Sequence, residues 1–306
     1  MSDIEAMFRA VECAGALHVV DLSSGAEIAC NADAPAVTAS VFKAVVGLEF
    51  YDRVHAGRID PARPIDLLPG AATPGPTGLS LFRHGARVSL ADLCQLMLAV
   101  SDNAATDALV REIGLDAVNA RAAACGCRAT RVVSDLQTML DGVGRDVGFA
   151  SYAQLLDAQS GALGEVAFRQ GTDRACLMRL SALDPARASA TTARDMTTFL
   201  AAVWAGTGAA RPACGDLMAT MRQQVTRRLE TAVPDGGGLM AKSGGLFGVV
   251  RNEIALIVYP GGQAYAAAIF TRAAEPFRNT AAINTQMGRI VDTAIHALRQ
   301  SGLFSS

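Results

Sequence analysis

The sequence predicts an α+β fold with three layers, α/β/α, in which one antiparallel sheet is built from both ends of the chain. Two apolar segments around a Ser-Ser-Gly turn predict a β-hairpin over residues 15–31. Three further apolar segments predict strands at about 239–243, 249–259 and 263–272. Since helical patterns fill the middle of the chain, we expect the strands from its two ends to share one sheet with flanking helices.

Helices are expected before, between and after these strands. A short amphipathic helix is predicted over 3–13, and a helix over about 39–54 has Ser40 in its first turn. A stretch rich in proline and glycine, roughly 62–79, predicts a surface loop. The remaining helices are predicted at 90–100, 103–113, 115–124, 191–204, 213–223 and about 276–300. Residues 125–190 contain helical pieces but no clean period.

We expect two lobes with a cleft between them. Residues 1–33 and 211–306 would form the α/β lobe that contains the sheet, and residues 34–210 a mostly helical lobe inserted into it. The helical lobe would include an expanded region at about 132–190. A cleft between two lobes is a usual position for a functional site.

Composition argues against several classes of function. The 306 residues are 51% hydrophobic and 18% charged, with a net charge of −2, as in ordinary globular proteins. Without a clustered cationic surface, nucleic acid is not expected as a partner. No apolar run approaches the ~20 residues of a membrane span, so no membrane partner is expected. The N-terminal segment lacks the basic-then-apolar order of a secretory signal, and we therefore expect a cytoplasmic protein.

The seven cysteines form no regular framework, and their odd number predicts reduced thiols. Cys125 and Cys127 are separated by one residue, but no second cysteine pair or suitably spaced histidine accompanies them. A zinc site needs about four ligands in a recognisable spacing. We therefore expect neither a metal nor another cofactor.

Lysine usage is the most informative feature of the composition. Of the 27 basic residues all but two are arginine, and Lys43 and Lys242 are the only lysines. Most surface positions accept either residue, so a chain biased toward arginine retains lysine where arginine fails. Arginine fails where a compact ammonium is needed, or where the nitrogen must lose its proton to act as a base. Each lysine also belongs to a short motif that contains a serine.

The first motif places a hydroxyl and an amine at the start of a helix. Ser40 and Lys43 are three residues apart and therefore neighbours on one helical face. Free N–H groups at a helix N-terminus can donate to an oxyanion. An amine that loses its proton is one of the few groups that can activate a serine without histidine. Alone, the pattern is more typical of a helix cap followed by a solvated lysine.

Two further motifs follow in the chain. Ser-Asp-Asn at 101–103 lies between two predicted helices, where a serine or aspartate commonly caps the next helix. Lys-Ser-Gly-Gly at 242–245 ends a predicted strand, where a turn is the simple interpretation. The three motifs occur once each and include both lysines, so chance becomes the weaker explanation.

Together the three motifs resemble the signature S-x-x-K, S-D-N and K-T-G of class A β-lactamases and penicillin-binding proteins. The likeness extends to Gly-Ala-Arg-Val-Ser-Leu-Ala-Asp-Leu at 85–93, to Thr-Thr-Ala-Arg-Asp-Met at 191–196, and to the residues that continue from 242 to 253. It covers about residues 15–300, except the region near 132–190. The resemblance implies a β-lactamase/transpeptidase-like fold and a serine hydrolase that works through an acyl-enzyme.

The resemblance also implies catalytic roles. Ser40 would be the acylated nucleophile, and Lys43 its base or proton relay. Ser101 would pass a proton to the leaving nitrogen, and Lys242 would set the electrostatics of the cleft. The backbone N–H groups of Ser40 and Gly245 would form the oxyanion hole.

The same resemblance implies a substrate-binding set of Asn103, Ser243, Gly244 and Arg251. Asn103 would hydrogen-bond the amide side chain of the substrate, whereas Ser243 and Arg251 would bind its carboxylate. The expected partner is therefore a small-molecule substrate that bears a carboxylate. The other interpretation of Arg251 is an arginine on the surface of a strand.

Two departures from the family's pattern affect deacylation. Class A enzymes prime the hydrolytic water with a loop glutamate, whereas the corresponding stretch here, 130–137, has no glutamate. Asp135 and Gln137 are the nearby candidates for positioning water, although Asp135 is shorter and Gln137 cannot act as a base. Between Asp135 and Thr191 the chain is longer than the family's loop, so we expect a helical insertion that covers or reshapes the cleft.

The favoured function is hydrolysis of an amide or ester through a Ser40 acyl-enzyme, with a β-lactam as one candidate substrate. One alternative is a genuine class A β-lactamase with a non-standard deacylation residue. Another is a slow acyl-trapping or ligand-binding protein with little turnover. A D-peptidase or transpeptidase is disfavoured by the expected location, and the four histidines lie outside any nucleophile motif.

Overall fold

The computed structural model describes residues 2–68, 70–158 and 174–303. In chain order, its strands are β1 (Cys13–Asp21), β2 (Glu27–Cys30), β3 (Ala36–Val37), β4 (Pro64–Leu67), β5 (Ala86–Ser89), β6 (Ala190–Thr191), β7 (Gly238–Leu246), β8 (Val250–Val258) and β9 (Ala264–Ala273). Five of them form one antiparallel sheet in the order β2-β1-β9-β8-β7. The predicted antiparallel sheet from both ends of the chain is confirmed.

Helices precede, separate and follow these strands. They are α1 (Ser2–Arg9), α2 (Lys43–His55), α3 (Leu90–Ala99), α4 (Asn103–Ile113), α5 (Leu115–Ala124), α6 (Leu136–Asp146), α7 (Tyr152–Ala158), α8 (Arg174–Leu177), α9 (Ala193–Ala205), α10 (Arg211–Met221) and α11 (Thr280–Leu303). Among the helices of the described residues, none combines the length and the apolar character that crossing a bilayer requires.

The sheet has an apolar core on each of its faces. Along β9, Ala268 and Phe270 belong to one buried cluster, whereas the alternate residues Ala267 and Ile269 belong to another. This alternation follows from the two-residue period of a strand. Helices α1 and α11 pack on the second face, and the helices of the middle of the chain pack on the first. The predicted α/β/α layering is therefore confirmed.

Helix α2 lies at the centre of the helical side. Its first eight residues, Lys43–Phe50, are all buried, so protein surrounds this part of the helix completely. The helix predicted over about 39–54 differs at its start, because residues Ala39–Phe42 form a 3₁₀ turn before the α-helix begins at Lys43. Ala39 has φ of 44°, a left-handed value that an α-helix does not accommodate.

The sequence does not predict two pairs of very short strands. β3 pairs with β6, and β4 pairs with β5, so part of the expected surface loop at 62–79 belongs to a small sheet. Strands of two to four residues are too short to show a two-residue period in the sequence. The expected helical insertion contains α6, α7 and α8, while its residues 159–173 lie outside the described ranges.

Candidate active site

Ser40 lies in the 3₁₀ turn that leads into α2. The left-handed backbone of Ala39 immediately before it is rarely adopted by residues with a side chain. Such strain persists where the surrounding structure fixes it, and it is frequent at functional sites. Here β7 packs against the turn, since a Cβ at Gly244 would lie 3.0 Å from the backbone nitrogen of Ser40. Glycine at this position therefore lets the strand approach the predicted nucleophile closely.

Lys43 is completely buried at the start of α2. Its Nζ donates to the carbonyl oxygen of Ser101 at 2.7 Å, to Asn103 Oδ1 at 2.9 Å and to Ser101 Oγ at 3.3 Å. Burial lowers the pKa of Lys43 to about 7, although the nearby charges of Asp102 and Asp107 favour the ammonium form. At neutral pH a substantial fraction of Lys43 is thus the free amine, which can accept a proton.

Ser101 lies between the two lysines. Its backbone is left-handed, with φ of 62°, and its Oγ lies 3.3 Å from Lys43 Nζ and 3.1 Å from Lys242 Nζ. A hydroxyl accepts two hydrogen bonds and donates one. When both amines donate to Ser101 Oγ, the hydroxyl proton points away from them. Because Ser101 lines the cleft, this arrangement suits proton donation to a bound substrate.

Lys242 is also completely buried, and Gln224 holds it in place. Lys242 Nζ donates to Gln224 Oε1 at 3.2 Å and to the carbonyl oxygen of Ser243 at 2.9 Å. The same Gln224 oxygen accepts the backbone N–H of Ser243 at 2.7 Å. Burial, followed by the charges of Lys43 and Arg228, lowers the pKa of Lys242 well below its ordinary value. Gln224 thus fixes both the lysine and the next residue of the motif.

Asn103 and Asp102 hold one side of the cleft. Asn103 Oδ1 accepts from Lys43, and its Nδ2 donates to the carbonyl oxygen of Pro74 at 2.9 Å. Asp102 caps α4 and also accepts the backbone N–H of Leu79 at 2.6 Å. The capping interpretation of the Ser-Asp-Asn motif therefore applies to Asp102. Asn103 lines the cleft, with its amide already bonded within the protein.

Two arginines lie beside Gly245. Arg251 is directly opposite Gly245 in the β7–β8 register. A Cβ at Gly245 would lie 3.6 Å from both Arg251 Nη1 and Arg228 Nη2, so the two guanidinium groups converge on this residue. Both arginines line the same cleft as Ser40 and Ser243. The sequence predicts only Arg251 at this end of the cleft.

The two predicted water-positioning residues have different surroundings. Asp135 lines the cleft, but its Oδ1 accepts the backbone N–H of Thr138 at 2.8 Å and thereby caps α6. Gln137 is not part of the lining that the described residues form, and its backbone N–H donates to Asp107 Oδ2 at 2.9 Å. Val133, which also lines the cleft, is 44% exposed. An apolar side chain and a capping carboxylate therefore occupy this wall.

The motifs meet in one cleft of about 460 Å³. Its walls come from the turn around Ser40, the β7–β8 edge, residues 100–103, helix α6 and residues 181–189. The described part of the insertion therefore forms one wall of the cleft. Across residues 2–68, 70–158 and 174–303, no group of three His, Cys, Asp or Glu side chains could hold a metal ion.

Three residues that matter here were not predicted from the sequence. Gln224 and Arg228 come from a segment without motif or clear period, and Arg228 is indistinguishable there from its neighbour Arg227. Asp107 is buried in α4 and accepts the backbone N–H of Leu136 at 2.9 Å, which anchors the start of α6. Burial raises the pKa of Asp107. Only the tertiary fold brings these groups next to residues that line the cleft.

Comparisons with known proteins identify the family and the fold. The model of the β-lactamase enzyme family matches residues 1–297. The β-lactamase regulatory protein BlaB of Streptomyces cacaoi is 29% identical over 300 residues, which cover 94% of this chain and 93% of that protein.

Solved structures show the same fold. The β-lactamase from Sphaerobacter thermophilus has a TM-score of 0.73 at 24% identity, covering 99% of this chain and 98% of that one. A leucine-to-glutamate variant of PBP-A was solved as an acyl-enzyme complex with penicillin G. It has a TM-score of 0.73 at 19% identity, and the match covers 97% of this chain and 96% of that one. Because the family model matches almost the whole sequence, the chain belongs to the β-lactamase enzyme family.

Proposed function

We propose that the protein is a serine hydrolase in which β-lactams, or related amides and esters that bear a carboxylate, acylate Ser40, and in which the acyl-enzyme clears slowly. Membership of the β-lactamase enzyme family supports serine hydrolase activity on β-lactams. The observation that carries the proposal is the position of Ser101 Oγ between two buried amines, 3.3 Å from Lys43 and 3.1 Å from Lys242.

Acylation begins with proton transfer from Ser40 to the free amine of Lys43. In the described residues, the hydrogen bonds of Lys43 go to Ser101 and Asn103. Catalytic hydrogen bonds commonly tighten only when substrate binds, so this arrangement is compatible with direct transfer. Ser40 Oγ then attacks the substrate carbonyl carbon, and the oxyanion accepts the backbone N–H groups of Ser40 and Gly245.

The leaving nitrogen needs a proton when its bond to the carbonyl carbon breaks. Ser101 donates its hydroxyl proton to that nitrogen and recovers a proton from the ammonium of Lys43, which received the Ser40 proton. Lys242 remains a hydrogen-bond donor to Ser101 Oγ throughout. The substrate carboxylate binds Ser243 and the guanidinium groups beside Gly245, which are suited to a carboxylate.

A second candidate function is an acyl-trapping protein with a regulatory role. It is favoured by Asp135, whose carboxylate caps α6, and by Val133 on the same wall. Neither side chain is arranged to prime water for hydrolysis of the acyl-enzyme. The 29% identical BlaB is described as a β-lactamase regulatory protein, which supports the same idea.

Labelling with benzylpenicillin tests the proposal. The intact protein is expected to gain the mass of one penicilloyl group, located by peptide mapping on the peptide that contains Ser40. Ser40→Ala should remove the label, whereas Ser134→Ala, another serine in the cleft lining, should retain it. Labelling of Ser40→Ala to the wild-type extent would refute the assignment of the nucleophile.

A further inference from the structure

The charged side chains that line the cleft are mostly cationic. In the described part of the chain, the lining contains three arginines, Arg187, Arg228 and Arg251, and one carboxylate, Asp135. That carboxylate already accepts the backbone N–H of Thr138. The buried Glu253 lies 3.8 Å from Arg228 and offsets its charge, which leaves Arg187 and Arg251 against one carboxylate in the lining. Two guanidinium groups against one carboxylate favour anionic ligands.

Arg187 belongs to a different wall from the other two arginines. It precedes Ser189 by two residues, and the carbonyl oxygen of Ser189 accepts the backbone N–H of Thr38 at 2.9 Å. Thr38 in turn precedes Ser40 by two residues. Because one extended residue spans about 3.3 Å, the backbone of Arg187 lies within a few residue lengths of the nucleophile. The other two arginines lie instead beside the end of β7.

The guanidinium group of Arg187 is available to a ligand. Its ion-pair partner, Asp146, lies 3.9 Å away, which is too long for a direct hydrogen bond. Asp146 Oδ2 itself accepts the backbone N–H of Ser181 at 2.6 Å. The Arg187 side chain is 61% exposed while lining the cleft. Since guanidinium offers five N–H donors, it can bind a carboxylate through two of them.

We infer that the cleft selects acyl donors with two carboxylates, one bound by Arg228 and Arg251 beside Gly245, and a second, on the acyl side chain, bound by Arg187. This inference rests on the proposed acylation of Ser40 and adds the class of substrate to it. A donor with a single carboxylate occupies only one of the two cationic positions. A dicarboxylate occupies both, with its reactive carbonyl between them at Ser40.

Penicillins with matched side chains test the inference. N-adipoyl- and N-hexanoyl-6-aminopenicillanic acid have side chains of equal length that end in a carboxylate and a methyl group, respectively. Wild-type protein is expected to be acylated about 10-fold faster by the adipoyl compound at low ionic strength, because a charge-assisted pair forms only with the carboxylate. Glutaryl and pimeloyl compounds, each with its methyl-ended counterpart, extend the comparison to acyl side chains one carbon shorter and one carbon longer.

The ratio of the two acylation rates isolates the role of Arg187. Arg187→Gln should bring the ratio close to one, and Arg187→Lys should retain part of it. Arg111→Gln removes an exposed arginine of α4 outside the cleft lining and should leave the ratio at its wild-type value. The inference would be overturned if the wild-type protein gave a rate ratio near one at every side-chain length. It would also be overturned if Arg187→Gln kept the wild-type ratio. Absence of any adduct with both compounds would overturn the proposed acyl-enzyme itself.

Discussion

The two sides of the cleft differ in how their polar groups are arranged. On the side of Ser40, two completely buried lysines donate to one serine hydroxyl, and Gln224 fixes the second lysine. On the wall formed by residues 133–135, α6 and residues 181–189, the carboxylate of Asp135 caps a helix, and Val133 presents an exposed apolar side chain. In the proposed mechanism the first side forms the acyl-enzyme, whereas the described residues of the second side offer no comparable arrangement for its hydrolysis.

The difference shows how burial produces reactivity. A buried amine becomes a usable base near neutral pH when desolvation, which disfavours its charged form, outweighs the groups that favour the ammonium. A carboxylate that accepts a helix N-terminal N–H, as Asp135 does, is held in place as a helix cap. Acylation and deacylation are therefore expected to respond to different substitutions.

The largest expected effect comes from Lys43→Arg. Guanidinium stays protonated in proteins, so acylation should fall about 10²- to 10⁴-fold although the positive charge is kept. Lys242→Arg keeps a hydrogen-bond donor for Ser101 Oγ, so it should reduce acylation by only about 10-fold and act mainly on substrate binding. The measurement is the second-order rate of adduct formation, followed by intact-protein mass spectrometry.

Both lysine variants need a folding control because arginine is larger and the two sites are buried. Thermal melting should show that each variant is folded under the assay conditions. If well-folded Lys43→Arg is acylated at the wild-type rate, only a positive charge is required at this position. The base assignment would then be wrong.

The next largest effect is expected from Val133→Glu, which acts on hydrolysis of the acyl-enzyme. Val133→Glu places a carboxylate on the cleft wall, and we expect the penicilloyl-enzyme to clear about 10-fold faster. This is less than a fully positioned base provides, because no surrounding residues hold the new side chain. Val133→Gln has the same shape without the charge and should clear at the wild-type rate. Equal clearance by the Glu and Gln variants would show that the wall at Val133 does not limit deacylation.

The pH dependence of acylation should follow the titration of Lys43. Its pKa is about 7, so the fraction of free amine rises about 10-fold between pH 6 and pH 8, and acylation should rise with it. The sign follows from the role of the neutral form as the base. Second-order acylation rates across this range provide the test, and Lys43→Arg should lose the rise. A rate that falls as the pH increases would contradict the account.

A smaller effect is expected from Gln224→Leu. The substitution removes the oxygen that accepts from Lys242 Nζ and from the N–H of Ser243. A net loss of about 1 kcal/mol corresponds to roughly a fivefold lower acylation efficiency. Gln224→Glu keeps an acceptor oxygen and should retain more activity. Acylation by Gln224→Leu at the wild-type efficiency would show that Gln224 does not position the lysine.

Much of the side of the cleft around Ser40 could be predicted from the sequence, because its motifs depend on local spacing. The helices at 103–113 and 115–124 have the predicted bounds, and the three motifs meet in one cleft. Gln224 and Arg228 could not be predicted, since a segment without a local pattern brings them next to Lys242 and Gly245. The sequence around α6 has no clean hydrophobic period. It therefore predicts helical character there, but not which side chains α6 presents to the cleft.

Fast acylation and slow deacylation of Ser40 are tested most directly by the time course of the acyl-enzyme after rapid mixing with benzylpenicillin. Quenched samples analysed by intact-protein mass spectrometry give the fraction acylated, while product release is followed in parallel. We expect nearly complete acylation of Ser40, with a burst of one equivalent followed by slow steady release. Rapid steady hydrolysis without a burst, and without detectable acyl-enzyme, would contradict it.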